Sequence, residues 1–435
     1  MNRRDAGWPE QFVYVCSATR AALVNMLPII HADLHRVRGL VVFCGASGPD
    51  SPDGTAQAEA IEPAERLEKV LSSWTNGRLS AANGTVTTLY GDPGDFAAWR
   101  GNMGRVFEAF GSPEGTALPI LFNIKGGTKE MAIGGILGRT DEERFQIVTV
   151  RGEPLQVERV SRSRQAALPV QGRMLGLRQY LAIYGLWEDD GAPGEMRRNG
   201  LESFYREQGR AIRAFAAAVL ADAPRIAAAL NRIAGGCFSG PGGRTFESSN
   251  FGIATPLPAA AFVALDGFPG LAIGRDDHGT PVDCTIETEA AANFLRGGWL
   301  EALLYLEIAD AMRKRNDVEI AASLRIRLRN GANQIAEFDI AVLIRSQLHL
   351  IEAKTANMGS AVSAEAGERS FAQLDSMKRL LLGQVGKALI VNPRVTQAYN
   401  LDGRARRGGE ELFLGRDAVE HAVERIRQLA GAPPV

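Results

Sequence analysis

The segment Glu337–Thr355, EFDIAVLIRSQLHLIEAKT, constrains this chain more than any other stretch. Two runs rich in aliphatic and β-branched residues flank Ser346-Gln347, the pattern of a β-hairpin. With those two residues as the loop, Asp339 falls opposite Lys354 and Ala341 opposite Glu352. Side chains alternate along a strand, so Asp339, Glu352 and Lys354 share one face. Ala341, Leu343, Leu348 and Leu350 lie on that face too; Phe338, Ile340, Val342, Ile344, His349 and Ile351 lie on the other. Both faces therefore read as buried, and three charges at one end of a buried hairpin are costly unless they are paired or liganded. One solution is an ion triad in which Lys354 neutralises the two carboxylates. The other is chemical. A hard cation such as Mg²⁺ takes one or two carboxylates, water and a substrate phosphate oxygen, which is what Asp339 and Glu352 offer. An ammonium one position further along the face can orient an attacking water or stabilise charge on the phosphate. This pattern predicts a metal-dependent centre that attacks a phosphate ester with water.

The 435 residues suggest two or three domains. Through the first 150 residues, strand-like runs (Phe12–Cys16, Leu40–Cys44, Val86–Tyr90, Leu118–Ile124) alternate with helical stretches (20–36, 58–74, 96–110). That alternation predicts a parallel, doubly wound α/β sheet, which binds ligands beyond the carboxyl ends of its strands. From 156 to 290 the pattern loosens into a connecting module: a long Ala-rich helix over about 201–233, Gly- and Pro-rich sequence, and short strands near 261–263 and 271–273. From 291 onward it tightens again, with a helix over 291–314, strands at 323–329, 337–345 and 347–354, a helix over 366–382, a strand at 388–392 and a helix over 417–429. Domains are thus expected at 1–155, 156–290 and 291–435.

At the end of the fourth strand-like run, Asn123-Ile124-Lys125-Gly126-Gly127-Thr128-Lys129-Glu130-Met131 leads into a helix. Two glycines allow close approach of backbone to a ligand, and N–H groups at a helix start attract anions. Thr128 and Lys129 add a hydroxyl and a cation suited to phosphate oxygens. The order is not that of a Walker A loop, and a plain helix cap explains the same residues. Ser17-Ala18-Thr19-Arg20 follows the first strand, so both loops are expected at one end of a parallel sheet. Elsewhere, His31 and His35 have i, i+4 spacing but lack the Glu and third ligand of a zinc site, and read as a solvated helix face.

The D-x12-E-A-K spacing resembles the PD-(D/E)XK nuclease core, with Asp339, Glu352 and Lys354 at its signature positions. The resemblance further implies an acidic residue on the preceding helix, and Glu301 in Gly297-Gly298-Trp299-Leu300-Glu301 matches it. No Pro precedes Asp339, and Met377 stands four residues after Gln373 where a RecB-like branch carries Tyr. Taken with the N-x-x-G-G-T-K-x-M run, the chain resembles the ancillary nucleases of type III CRISPR systems, which join a CRISPR-associated Rossmann fold (CARF) sensor to such a nuclease. That resemblance implies an activator, commonly cyclic tetra-adenylate, bound at a homodimer interface by Ser17, Thr19, Arg20, Asn123, Gly126, Gly127, Thr128 and Lys129. It also implies a divalent cation (Mg²⁺ or Mn²⁺) and a DNA or RNA substrate.

A constitutive restriction or repair nuclease, and an inert nucleotide-responsive regulator, are the competing readings. The formal net charge of −1 decides nothing about nucleic acid, because a basic groove fits within a neutral total. Arg325, Arg327 and Arg329 share one strand face and, with Lys378 and Arg379, are candidate substrate contacts; a solvated edge strand is the alternative. Four widely spaced cysteines read as reduced, buried thiols. No apolar run is long enough to span a bilayer, and a cytoplasmic location is expected.

Overall fold

The structure is a computed structural model that describes residues 8–19, 22–50, 52, 54, 60–110, 117–151, 156–160, 165–169, 175–189, 198–237, 249–252, 257–328, 335–355, 386–395, 405 and 409–431. The chain forms two compact units, 1–187 and 188–435. The division falls within a short strand, Leu186–Glu188 (β8).

The first unit is built on a seven-stranded sheet of order β3-β2-β1-β4-β5-β6-β7. Its strands are β1 (Phe12–Ser17), β2 (Val37–Cys44), β3 (Val86–Tyr90), β4 (Ile120–Asn123), β5 (Phe145–Arg151), β6 (Gln156–Val160) and β7 (Gln165–Pro169). The five from β3 to β5 are parallel, and β6 and β7 extend the sheet antiparallel. Buried on both faces, β1 and β4 carry no alternation, as expected of central parallel strands. On one face Val13, Val15, Val41, Phe43, Ile120 and Phe122 form a core with Trp99, Met103 and Phe107 of the helix Phe96–Ala109 and with Met131. On the other face lies the helix Ala22–Ala32, where Tyr14 Oη donates to the Asn25 carbonyl at 2.9 Å. The order 3-2-1-4-5 with helices on both faces is the doubly wound arrangement read from the sequence.

The second unit holds helices, a three-stranded sheet (β10-β11-β9) and a larger mixed sheet. The small sheet comprises β9 (Ser249–Gly252), β10 (Leu271–Arg275) and β11 (Pro281–Ile286). In the larger sheet the order is β16-β15-β14-β13-β12, with β12 (Val318–Leu328), β13 (Ile335–Ile344), β14 (Gln347–Ala353), β15 (Ala388–Asn392) and β16 (Glu410–Leu414). Beyond β12 the chain from Glu188 forms the remaining edge, where Asp189 N–H donates to the Arg325 carbonyl at 2.8 Å. β12, β13 and β14 form an antiparallel meander, whereas β14, β15 and β16 run parallel. The face carrying Ile340, Val342, Ile344 and Ile351 packs on Trp299, Leu303, Leu304 and Ile308 of the helix Trp299–Met312 and on the closing helix Ala418–Leu429.

Three local expectations are corrected. The single Ala-rich helix over 201–233 is three helices, Arg198–Glu207, Gly209–Leu220 and Ala223–Gly236. The first break falls at Gln208, which precedes the new helix, and Pro224 permits only a fresh helix start at the second. The strand expected near 261–263 is helical, Ala259–Leu265, because alanines following Pro258 favour a helix. The hairpin loop is Arg345-Ser346, both at positive φ (48° and 68°), and not Ser346-Gln347. Arg345 is drawn into the turn by Asp317 at 3.0 Å and by the Ala430 carbonyl at 3.0 Å, which frees Gln347 to pair with Ile344. The expected helix over 366–382 lies outside the described residues. All four cysteines are buried and none forms a disulfide. Among the described residues no single helix is long and apolar enough to cross a membrane.

Candidate active site and anion-binding loops

The corrected loop moves the ladder so that Ile340 pairs with Ile351 and Ala341 with Leu350. One further step sets Asp339 beside Glu352. The loop moves by one residue and the pairing by two, so the side-chain faces are unchanged and Asp339, Glu352 and Lys354 do converge. Lys354 Nζ lies 2.8 Å from Glu352 Oε1 and 3.9 Å from Asp339 Oδ2. The Ala353 N–H donates to Asp339 Oδ2 at 2.7 Å. Glu352 is buried, and its Oε2 has no hydrogen-bond partner among the described residues.

Glu301 joins this cluster from the helix Trp299–Met312. Burial pushes its carboxyl up to about 7 against the pull of Lys354, with Glu337 and Glu352 adding to the rise. Asp339 is raised well above the usual carboxylate range, first by burial and then by Glu301 and Glu352, while Lys354 and the Ala353 N–H oppose the shift. Burial alone would lower the Lys354 ammonium, but Glu352 and Asp339 outweigh it and hold it above its ordinary value. Among the described residues Glu301, Asp339 and Glu352 thus share the Lys354 ammonium, and that excess of negative charge is what a divalent cation would offset. Among the described residues no three acidic, His or Cys side chains enclose a metal position by themselves. The donors fit an open site completed by water and substrate oxygen, as Mg²⁺ prefers, and the unpartnered Glu352 Oε2 is a ready ligand.

The Gly-Gly-Trp-Leu-Glu run reaches this hairpin through Thr355. A five-residue π-turn, Phe294–Gly298, precedes the helix. Thr355 Oγ1 donates to the Arg296 carbonyl at 2.8 Å, and a Cβ on Gly297 would sit 3.3 Å from that hydroxyl. Gly297 therefore lets the helix start lie against the residue after Lys354, which sets Glu301 relative to the hairpin.

Sequence reasoning passed over two members of the site. Glu337 shares its face with Asp339, so alternation was the available signal; Ser323 Oγ donates to its Oε1 at 2.6 Å. Tyr205, from a separate helix, is buried, and its phenol is raised by burial and by Glu301, Asp339 and Glu337. No local pattern marks it. Arg325 and Arg327 turn toward Asp189, at 4.0 and 2.9 Å, and β12 is not an edge strand, so they are neither a solvated edge nor cations left over for substrate. Arg329, Gln373, Lys378 and Arg379 lie outside the described residues. His349 sits on the opposite face, fully buried, accepting from the Lys387 N–H at Nδ1 (3.2 Å); burial lowers its imidazole to about 3.

In the first unit the two loops do meet at the ends of β1 and β4. Gly126 and Gly127 have φ of 86° and 71°. Cβ atoms there would lie 2.8 Å from Thr19 Cγ2 and 2.6 Å from Ser17 Cβ, so both positions need glycine for conformation and for space. Thr128 caps the helix Lys129–Leu137, accepting from the Met131 N–H at 3.2 Å, and donates to the Pro93 carbonyl at 2.7 Å. Lys129 and Lys125 are exposed at the loop. Asn123 is buried and has structural partners. Pro28 removes the donor that would serve the Val24 carbonyl, and Asn123 Nδ2 takes its place at 2.8 Å. Asn25 bonds both the Ser17 carbonyl (2.7 Å) and Asn123 (3.3 Å), tying the ends of β1 and β4 together. Arg20 lies outside the described residues.

With this geometry in hand, comparison with known proteins is specific for the second unit. Residues 288–428 match the Card1-like endonuclease domain. That span includes Glu301, Asp339, Glu352 and Lys354. No curated protein matches the chain by sequence. Among solved structures, the fold is similar to protein VC1899 from Vibrio cholerae, with a TM-score of 0.70 and 18% identity over 97% of this chain and 99% of that one. It is also similar to Can2 from Sulfobacillus thermosulfidooxidans, solved in complex with cyclic tetra-adenylate, with a TM-score of 0.67 and 18% identity over 99% of this chain and 100% of that one. Both likenesses span both units and concern the fold.

Proposed function

We propose that the protein is a type III CRISPR ancillary nuclease that hydrolyses nucleic acid in its second unit when a cyclic oligoadenylate binds the first. The observation that carries this reading is the convergence of Asp339, Glu352 and Lys354 within a stretch that matches the Card1-like endonuclease domain. Asp339 and Glu352 hold the cation, with Glu301 acting on the same centre through its charge. Bound Mg²⁺ or Mn²⁺ supplies Lewis-acid polarisation of the scissile phosphate and offsets the surplus carboxylate charge. Lys354, braced by Glu352, orients the attacking water and stabilises negative charge building on the phosphate oxygens. The Ala353 N–H fixes the Asp339 carboxylate.

For the activator, cyclic tetra-adenylate is favoured by the whole-chain likeness to a protein solved with that ligand. Ser17, Thr19, Gly126, Gly127 and Lys129 are the residues positioned to meet it. They combine exposed backbone and a cation at the start of a helix, the features that attract phosphate. A ring with rotational symmetry suits a two-fold homodimer in which each copy presents the same loops. The deciding experiment incubates the protein with single- and double-stranded DNA and RNA, with and without cyclic tetra-adenylate and with Mg²⁺ or Mn²⁺. Cleavage that needs both ligand and metal is expected. Equal cleavage without the ligand would overturn the sensor, and no cleavage under any condition would overturn the nuclease.

A further inference from the structure

Thr355, the residue after Lys354, is a meeting point for groups that the hydrolysis centre does not use. Its carbonyl accepts from Asn231 Nδ2 at 3.1 Å and from Arg394 Nη1 at 3.3 Å. Arg394 follows the end of β15, where the buried Asn392 accepts the Arg394 N–H at 3.0 Å and fixes the turn. β15 runs parallel to β14, with Ala353 paired to Val391, and Lys354 N–H donates to the Val391 carbonyl at 2.9 Å. Arg394 therefore emerges beside Lys354 at the carboxyl ends of two parallel strands, where α/β sheets bind ligands. Arg232 follows Asn231 on the helix Ala223–Gly236 and is exposed. Among the described residues its side chain bonds only to the Ala228 carbonyl of its own helix, at 3.4 Å.

Among the described residues neither Arg232 nor Arg394 forms an ion pair, although most arginines of the second unit do. Two like charges held near each other repel, and the Arg394 guanidinium is lowered by burial and by Arg232. A polyanion passing beside Lys354 would relieve that repulsion.

We propose that Arg394 and Arg232 form a clamp for the phosphodiester backbone of the substrate strand, gripping it next to the phosphate that is cut at Lys354. The inference rests on the nuclease reading and adds to it where the strand runs. Asn231 and the Thr355 hydroxyl brace the clamp. It grips backbone and reads no base, so it acts on DNA and RNA strands alike.

Fluorescein-labelled DNA and RNA strands test it, with cyclic tetra-adenylate present and Ca²⁺ in place of Mg²⁺. Arg394→Gln and Arg232→Gln should each weaken binding by about three- to tenfold, uniformly across sequences. Each should also lower the slope of log Kd against log salt by about one. With Mg²⁺, KM should rise while kcat at saturation stays close to wild type, and Arg→Lys should restore most of the affinity. Arg394→Gln removes a bond to Thr355 and could shift Lys354, so Arg232→Gln, which touches no part of that segment, is read beside it. Wild-type Kd and salt slope in both variants would overturn the clamp while the nuclease reading stands. Wild-type protein that binds the strands but hydrolyses none would overturn the nuclease reading instead, leaving the binding comparison to decide the clamp.

Discussion

At the scale of single residues, the described side chains of the site carry more negative charge than the Lys354 ammonium can balance, and two predictions follow from that imbalance. Asp339→Asn, Glu352→Gln and Lys354→Ala should each reduce cleavage by about 100-fold or more, since each removes several kcal/mol of transition-state stabilisation. Activator binding should remain near wild type, because it is assigned to the other unit. Activator-dependent cleavage near the wild-type rate in the Asp339 and Glu352 variants would remove these residues from the mechanism. The second prediction concerns Glu301, whose carboxyl rises to about 7 in the folded chain. The folded state then binds the proton more tightly than the unfolded state, so this group stabilises the fold fully below its ordinary value of about 4.3. That contribution is lost as pH climbs through about 7. In EDTA, Glu301→Gln should flatten the fall in stability between about pH 4 and about pH 7, the interval set by those two values. Added Mg²⁺ should stabilise wild-type protein more at the upper end of that range. Parallel stability curves for variant and wild type would contradict the shift.

At the scale of elements, the hairpin shows what sequence could and could not give. The faces of Asp339, Glu352 and Lys354 were legible because an even shift in pairing leaves every side chain on its face. The loop was not legible, because Arg345 enters it through Asp317 and the Ala430 carbonyl, one before β12 and the other after the last helix. Neither partner is near in sequence. The same limit hid Tyr205, Asn231 and Arg394, which reach the site from other elements. Parallel strands in the first unit were readable from their unbroken apolar runs, whereas the helix break at Pro224 was outweighed by its alanine-rich surroundings. The anchor itself is testable. Asp317 is buried between Arg315 and Arg345, and its carboxyl stays low because their hydrogen bonds overcome the effect of burial. Asp317→Ala would leave two cations without their acceptor, and urea unfolding should show a loss of about 1–3 kcal/mol. A change below about 0.5 kcal/mol, the range of ordinary surface substitutions, would mean that the turn does not depend on this pair.

At the scale of the whole molecule, the proposed function requires that a ligand at the Gly126-Gly127 loop of the first unit govern hydrolysis in the second. A ligand shifts an equilibrium only by its difference in affinity for the two states. The effect is reciprocal: if cyclic tetra-adenylate favours the state that binds substrate, substrate must tighten activator binding by the same factor. Lys129 separates this linkage from the chemistry. It stands exposed at the start of the helix that Thr128 caps, while the Thr128 hydroxyl is already occupied by Met131 and Pro93. Lys129, like Lys125, is exposed at that loop, so its charge is available to phosphate. Lys129→Glu places negative charge there and should raise the activator concentration for half-maximal cleavage by about tenfold or more. The cleavage plateau at saturating activator should match wild type, because Asp339, Glu352 and Lys354 are untouched. Activator affinity of the variant, measured with and without a non-cleaved strand in Ca²⁺, should still tighten by the wild-type factor, since the mutation weakens the grip on the ligand and not the linkage. A dose–response that overlays wild type would remove Lys129 from the activator site. A shifted response with a collapsed plateau would place the residue in the coupling between units and not in ligand capture.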